Sequence, residues 1–131
     1  LLLACEGGIV FYYDLGAKKL SKEEALHKDR IYDIAVYENR LLTGTPERKA
    51  RYFDGAKETW YDTRFPVYKV ALNSDIGAFS KEKSIVIIDK NGKEIKDIPY
   101  TGTLLTDLEF LPNGELVGAG YDNNLYFWEA K

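Results

Sequence analysis

The sequence predicts an all-β chain assembled from repeated units of four short strands. Three observations predict it. Four segments align with one another without a gap, each closes on an acidic residue at near-constant spacing, and the apolar content is rich in strand formers. The 131 residues include ten Tyr and six Phe but only four Pro. Aromatic and β-branched side chains favour strands because they pack well on a pleated, half-buried surface.

The aligned segments are residues 1–14 (LLLACEGGIVFYYD), 41–54 (LLTGTPERKARYFD), 76–89 (IGAFSKEKSIVIID) and 116–129 (LVGAGYDNNLYFWE). Each reads as an apolar start, small residues, a turn, and a strand-like run ending in an acid. The closing acids Asp14, Asp54, Asp89 and Glu129 lie 40, 35 and 40 residues apart. Three segments are preceded by apolar-x-x-apolar-x-apolar: Ile31-Ile34-Val36, Val67-Val70-Leu72 and Leu105-Leu108-Phe110. The last two positions alternate at strand period, and the offset before them suits entry through a bulge. Turns follow at Glu38-Asn39, Asn73-Ser74-Asp75 and Pro112-Asn113-Gly114, where Asn and Gly can supply the positive φ of a tight hairpin. Further turns at Leu15-Gly16, Gly55-Ala56 and Asn91-Gly92 lead into a fourth, more polar strand. Ser21 to Glu24 could instead open a single helical turn capped by Ser21.

Four strands per roughly 40 residues is the period of a β-propeller blade. The whole of 1–131 reads as one partial propeller domain, with blades of approximately 1–30, 31–66, 67–104 and 105–131. With strands lettered A to D, the chain supplies BCD, ABCD, ABCD and ABC. About three and a half blades within a six- to eight-bladed ring are therefore expected. The missing strands and the absence of Met suggest flanking sequence, and self-association that completes the propeller is the other way to close the ring.

Composition excludes several functions. The net charge is −3 with acids and bases interspersed, so no phosphate-tracking surface and no nucleic-acid partner are expected. Leu1 to Cys5 is too short an apolar run to span a bilayer, and no membrane partner is expected. Cys5 is the single cysteine, which suits a reducing, cytoplasmic setting and reads as a small buried thiol on a strand. Gly7-Gly8 and Gly118-Ala119-Gly120 lack the Lys-Ser/Thr ending of a phosphate loop. One His and one Cys leave no ligand set for zinc, and Asp122-Asn123-Asn124 fits a turn without calcium, so no metal or cofactor is expected. Asp29 and Asp33 lie near His27, but no nucleophile accompanies them, so no catalytic residue is assigned.

The segments resemble the WD40 repeat, whose core reads approximately L-A-S-G-S-x-D-G-T-V-R-V-W-D. Leu41-Leu42-Thr43-Gly44-Thr45 with Arg51-Tyr52-Phe53-Asp54 follows it, as does Leu116 through Trp128-Glu129, with Asp122 at the turn acid. Leu26-His27 takes the place of the family's Gly-His. The resemblance implies a buried structural network of His27, Thr45, Glu47 and Phe53 in the second blade, and of Asp122 and Trp128 in the fourth. Phe53 has no N–H to donate and Glu47 is longer than Asp, so that network is incomplete. Thr63 and Thr101 replace the His in the third and fourth blades. Leu116 to Asp122 and Lys49 to Phe53 are also similar to strands in the WD-repeat subunit of the actin-nucleating Arp complex.

What the resemblance implies is a non-catalytic scaffold that binds other proteins through a loop face around the central channel. Residues flanking the first strand of each blade are the candidates: Arg30, Tyr32, Phe65, Tyr68, Leu104 and Thr106. Arg and Tyr often dominate interface energy because they join area to hydrogen bonding. A subunit of an actin-assembly complex and a propeller enzyme or small-ligand binder using carboxylates near the channel are the alternatives. Trp60-Tyr61 fall on a predicted outer strand, where they either pack against a neighbouring blade or mark a side-on partner site.

Overall fold

The computed structural model describes residues 2–4, 7–27, 30–100 and 104–130, and Cys5, Asp29 and Thr101 lie outside the described residues. Strands β1 (Leu2–Ala4), β2 (Ile9–Asp14) and β3 (Lys19–Ala25) form sheet 1. Sheet 2 contains β4 (Asp33–Tyr37), β5 (Arg40–Gly44), β6 (Lys49–Phe53) and β7 (Glu58–Asp62). Sheet 3 contains β8 (Val70–Leu72), β9 (Ile76–Ser80), β10 (Ser84–Asp89) and β11 (Glu94–Pro99). Sheet 4 contains β12 (Leu105–Phe110), β13 (Leu116–Gly120) and β14 (Leu125–Trp128). Every pairing is antiparallel between neighbours in sequence, and the described residues contain no helix. Ser21 to Glu24 lie within β3.

The molecule is all-β, but the expected WD40-like propeller of about three and a half blades in a six- to eight-bladed ring is corrected. The described residues form four separate small sheets, no hydrogen-bonded ladder joins one sheet to the next, and no sheet closes on itself. The physical reason is that each strand spends its ladder bonds within its own sheet. Successive sheets then meet through side chains, and Leu125 and Phe127 of sheet 4 remain exposed.

The side-chain period of two decides which neighbour each residue meets. In β10, Val86 and Ile88 pack with Leu42, Ala50, Tyr52 and Tyr61 of sheet 2. The alternate residues Ile85 and Ile87 pack with Leu105, Leu108 and Leu116 of sheet 4. A strand buried on both faces reads as a continuous apolar run, which is what Ile85-Val86-Ile87-Ile88 is. Fully burying each such side chain contributes about 1.5–3 kcal/mol relative to leaving it exposed.

Polar groups tie sheet 2 to the turns of sheet 3. The buried Arg40 guanidinium donates to the carbonyls of Asn73 (2.7 and 2.9 Å) and Ser74 (3.1 Å) in the β8–β9 turn. At the other end, the Tyr52 hydroxyl donates to Lys90 O at 2.7 Å and the Tyr61 hydroxyl donates to Gly92 O. Gly92 has φ +88°, and a Cβ there would lie 3.0 Å from Thr59 Oγ1 and 3.1 Å from Tyr61 Oη. Burial pushes the Tyr61 hydroxyl pKa well above the usual tyrosine value, so it stays a donor.

Turn chemistry differs from expectation in three places, the first being the Asn73-Ser74-Asp75 turn, where no residue has positive φ. Glu38 (φ 54°), not Asn39, takes the left-handed conformation in the β4–β5 turn, while Asn39 packs against Gly55. In the β2–β3 turn the positive φ falls on Lys18, at 55°, rather than on Gly16. The anticipated bulge is present in β12, where the register shifts between Leu105 and Asp107.

Candidate functional site

The segment joining β7 to β8 is held from behind by its own backbone. Thr63 N–H donates to Arg48 O (3.1 Å), and the Thr63 hydroxyl donates to Phe65 O (2.6 Å). Val67 N–H donates to Thr45 O at 2.9 Å, and Val67 itself is fully buried. Gly44 permits this approach, since a Cβ on it would sit 2.5 Å from Val67 O. With Thr63 and Val67 fixed inward, Phe65 projects and remains 40% exposed. Pro66 adds a fixed φ beside it.

Phe65, Pro66, Tyr68, Lys81, Glu82 and Leu104 line a cleft of about 260 Å³. Tyr100 and Leu105 also line it and are buried. Lys69 N–H donates to Ser80 Oγ (3.2 Å), joining the segment before β8 to the end of β9. Tyr68 stacks on Tyr32 with ring centroids 4.9 Å apart and planes 10° from parallel. Tyr32 is in turn anchored by its own N–H, which donates to Gly44 O at 2.8 Å.

Of the six predicted contact residues, Phe65, Tyr68 and Leu104 line this one cleft, and Tyr32 adjoins it through the stack. Arg30 is exposed but does not line it. Thr106 is exposed and donates its hydroxyl to Ala119 O at 3.2 Å, which occupies it at the β12 bulge. Tyr100, Lys81 and Glu82 were not singled out by sequence. Lys81 reads as part of a solvated turn, and Tyr100 has no repeat equivalent that would have marked it.

A second cavity, of about 580 Å³, lies between sheets 1 and 2 and is lined by His27, Glu47, Lys49 and Trp60 among others. His27 Nε2 shares a 2.7 Å hydrogen bond with the buried Thr43 Oγ1, not with Thr45 as the resemblance implies. Thr45 instead donates to Lys49 O (3.1 Å) and accepts from Glu47 N–H (3.2 Å), closing the β5–β6 turn. Thr43 lies within β5, whereas Thr45 lies beyond the strand's end, where its hydroxyl is taken up by the backbone of the turn. Phe53 is half-buried, and the Arg51 guanidinium lies 5.9 Å from its ring centre. Trp60 meets the His27 ring edge-on at 5.4 Å, so it packs across to the segment after sheet 1 while remaining exposed on its other side. Burial holds the His27 pKa below the usual 6.5, with the Glu47 charge opposing and Arg51 and Lys49 adding to the depression.

In sheet 4, the Tyr126 hydroxyl donates to Asp122, and this bond keeps the Asp122 carboxyl below the usual carboxylate range. Trp128 stacks parallel to Tyr126 at 5.9 Å and meets Tyr100 edge-on at 5.8 Å. Both residues thus serve packing and turn closure. Asp33 opens β4 and reaches β8, its carboxylate accepting from Val70 N–H (3.0 Å) and Ile34 N–H (2.9 Å). Burial raises its pKa, an effect that those hydrogen bonds and Lys69 oppose. Among the described residues, no three or more His, Cys, Asp or Glu side chains gather to hold a metal, and no helix is long and apolar enough to cross a membrane.

No protein-family model matches the sequence, and no curated protein matches it. Among solved structures, the chain is similar to the crystal structure of the computationally designed Ika4 protein. The TM-score is 0.82 at 15% identity, over 99% of this chain and 84% of that one. At that identity the likeness shows the fold alone.

Proposed function

We propose that this chain is a non-catalytic protein-binding module that engages its partner at the Phe65–Tyr68–Leu104 cleft. One observation carries the reading: exposed aromatic and aliphatic side chains converge on a concave site whose backbone is independently anchored. Phe65 and Leu104 are 40% and 44% exposed, while Val67 and Thr63 behind them are buried. Preorganised apolar anchors lose little conformational entropy on association, which is how a small number of residues come to dominate an interface. Lys81 and Glu82 at the margin supply both charge signs for orienting a partner. A cytoplasmic setting accords with the single cysteine.

The test is a comparison of proteins retained by the wild-type chain and by a Phe65→Ser, Leu104→Ser variant. Both side chains are partly exposed and outside the sheets, so far-UV circular dichroism should show the variant folded. A partner captured by the wild type and lost by the variant supports the reading. A partner held equally by both would place the binding surface elsewhere on the molecule.

A further inference from the structure

The cleft lined by Phe65, Tyr68 and Leu104 carries an uneven set of hydrogen-bonding groups. Ser80 also lines it and is only 6% exposed. The Ser80 hydroxyl accepts from Lys69 N–H at 3.2 Å and donates to no group among the described residues. A serine hydroxyl has one proton to give, so this buried donor is unspent. Lys81 adds an ammonium that can only donate, 3.9 Å from the exposed Asp97 carboxylate. Acceptors are scarcer. The Phe65 carbonyl already accepts from the Thr63 hydroxyl (2.6 Å), and the Leu104 carbonyl from Tyr121 N–H (3.1 Å). Glu82 is the only carboxylate among the described lining residues, and it is exposed to water.

The rest of the lining is mainly aromatic and apolar. Phe65 stands partly exposed, Tyr68 is stacked on Tyr32, and Tyr100 and Leu105 are buried. Rings held in this way offer faces whose orientation is set before a partner arrives. An ordinary extended peptide laid on them would bring N–H groups that lose water and meet few acceptors. Proline brings a carbonyl but no N–H, and proline-rich segments dock on aromatic-lined grooves. The volume of about 260 Å³ is below the roughly 300–1,000 Å³ of pockets that enclose small-molecule ligands. It suits side chains of a longer segment lying across the cleft.

We propose that the segment received at this cleft is proline-rich and extended, its rings on Phe65 and Tyr68 and its carbonyls accepting from the Ser80 hydroxyl and the Lys81 ammonium. The inference rests on the protein-binding reading above and narrows the partner to one chemistry. A polyproline helix has no internal hydrogen bonds, so its carbonyls are available to donors on the cleft. With no N–H of its own to satisfy, it strands no polar group against the rings. The segment is also stiff before it binds, so little further ordering is needed.

Fluorescence anisotropy of a labelled oligoproline peptide, titrated with the full chain, tests it. The comparison peptide has alanine at every second proline, which restores N–H groups. Oligoproline is expected to bind the wild type, and the comparison peptide to bind at least about tenfold more weakly. The Phe65→Ser, Leu104→Ser variant should bind neither. Ser80→Ala should weaken oligoproline binding roughly two- to tenfold, as the loss of one hydrogen bond does. Should Ser80→Ala unfold, Lys81→Met probes the second donor with the same expected loss. No binding at millimolar peptide, equal binding of the two peptides, equal binding by the Phe65→Ser, Leu104→Ser variant, or unchanged binding by a folded donor variant overturns the proposal. A partner protein lost by the Phe65→Ser, Leu104→Ser variant while oligoproline fails to bind the wild type would uphold the protein-binding reading and sink this one.

Discussion

Replacing Thr43 by Val isolates the contribution of the His27 hydrogen bond. Val matches Thr in shape, so the packing between sheets 1 and 2 is retained and only the hydroxyl is removed. Thr43 is fully buried and its Oγ1 lies 2.7 Å from His27 Nε2. His27 Nδ1 is buried and has no hydrogen-bond partner among the described residues, so the substitution leaves the ring with neither nitrogen bonded. A buried polar atom stripped of its partner costs about 1–3 kcal/mol. With a urea slope of about 1–3 kcal/mol per molar, a 2 kcal/mol loss lowers the midpoint by roughly 1 M. The pH dependence supplies an independent check. The His27 pKa is depressed in the folded chain, so its contribution to stability is full above the unfolded value of 6.5. Below that value the unfolded chain takes up the proton first, and stability falls until the pH has passed the folded pKa. His27 is the only histidine, so His27→Phe should flatten the stability profile immediately below pH 6.5. The reasoning is refuted if Thr43→Val unfolds within about 0.3 kcal/mol of the wild type, or if the wild type gains stability as the pH is lowered through that window.

Three other substitutions test the packing account. Gly44→Ala places a Cβ 2.5 Å from Val67 O and 2.7 Å from Val67 Cγ1, so it should cost about 1–3 kcal/mol in chemical denaturation, against near-neutrality if the segment before β8 can move. Arg40→Met removes the donors to Asn73 O and Ser74 O, and a loss of about 1.5–3 kcal/mol is expected from the thermal midpoint; an unchanged midpoint would show that the turn holds itself. Phe79→Ala empties a fully buried site between sheets 2 and 3 where Tyr61 packs at 5.0 Å, and it should cost about 3–5 kcal/mol by equilibrium unfolding.

The strands were legible because their signal is local. Ile85 to Ile88 announce a strand buried on both faces, and the closing acids mark its end with Asx-type bonds such as Gly16 N–H to Asp14 Oδ1 and Asn91 N–H to Asp89 Oδ1. The arrangement of the sheets was not legible. Four-strand periodicity specifies how a sheet is made but says nothing about whether the last sheet returns to the first, and here Leu125 and Phe127 lie open. At the site, Phe65, Tyr68 and Leu104 were found because they flank the first strands of their units. Thr43 was missed because the resemblance directed attention to Thr45, two residues on along the same strand direction. Tyr100 was missed because its role is set by contacts with Tyr126 and Trp128, far away in sequence.

The same repeat therefore divides its residues between two tasks. In β10 of sheet 3, Ile85 to Ile88 are each committed to a neighbouring sheet, because alternation leaves each of them facing one sheet or the other. The segments entering β8 and β12 are under no such constraint. Their backbone is tied down by Thr63, Val67 and Gly44, and Leu104 O accepts from Tyr121 N–H at 3.1 Å, so their side chains are released outward on a fixed base. Substitutions in the strands should consequently register as stability, and substitutions of Phe65 or Leu104 as recognition. That separation follows from the geometry of the sheets rather than from the identity of any partner.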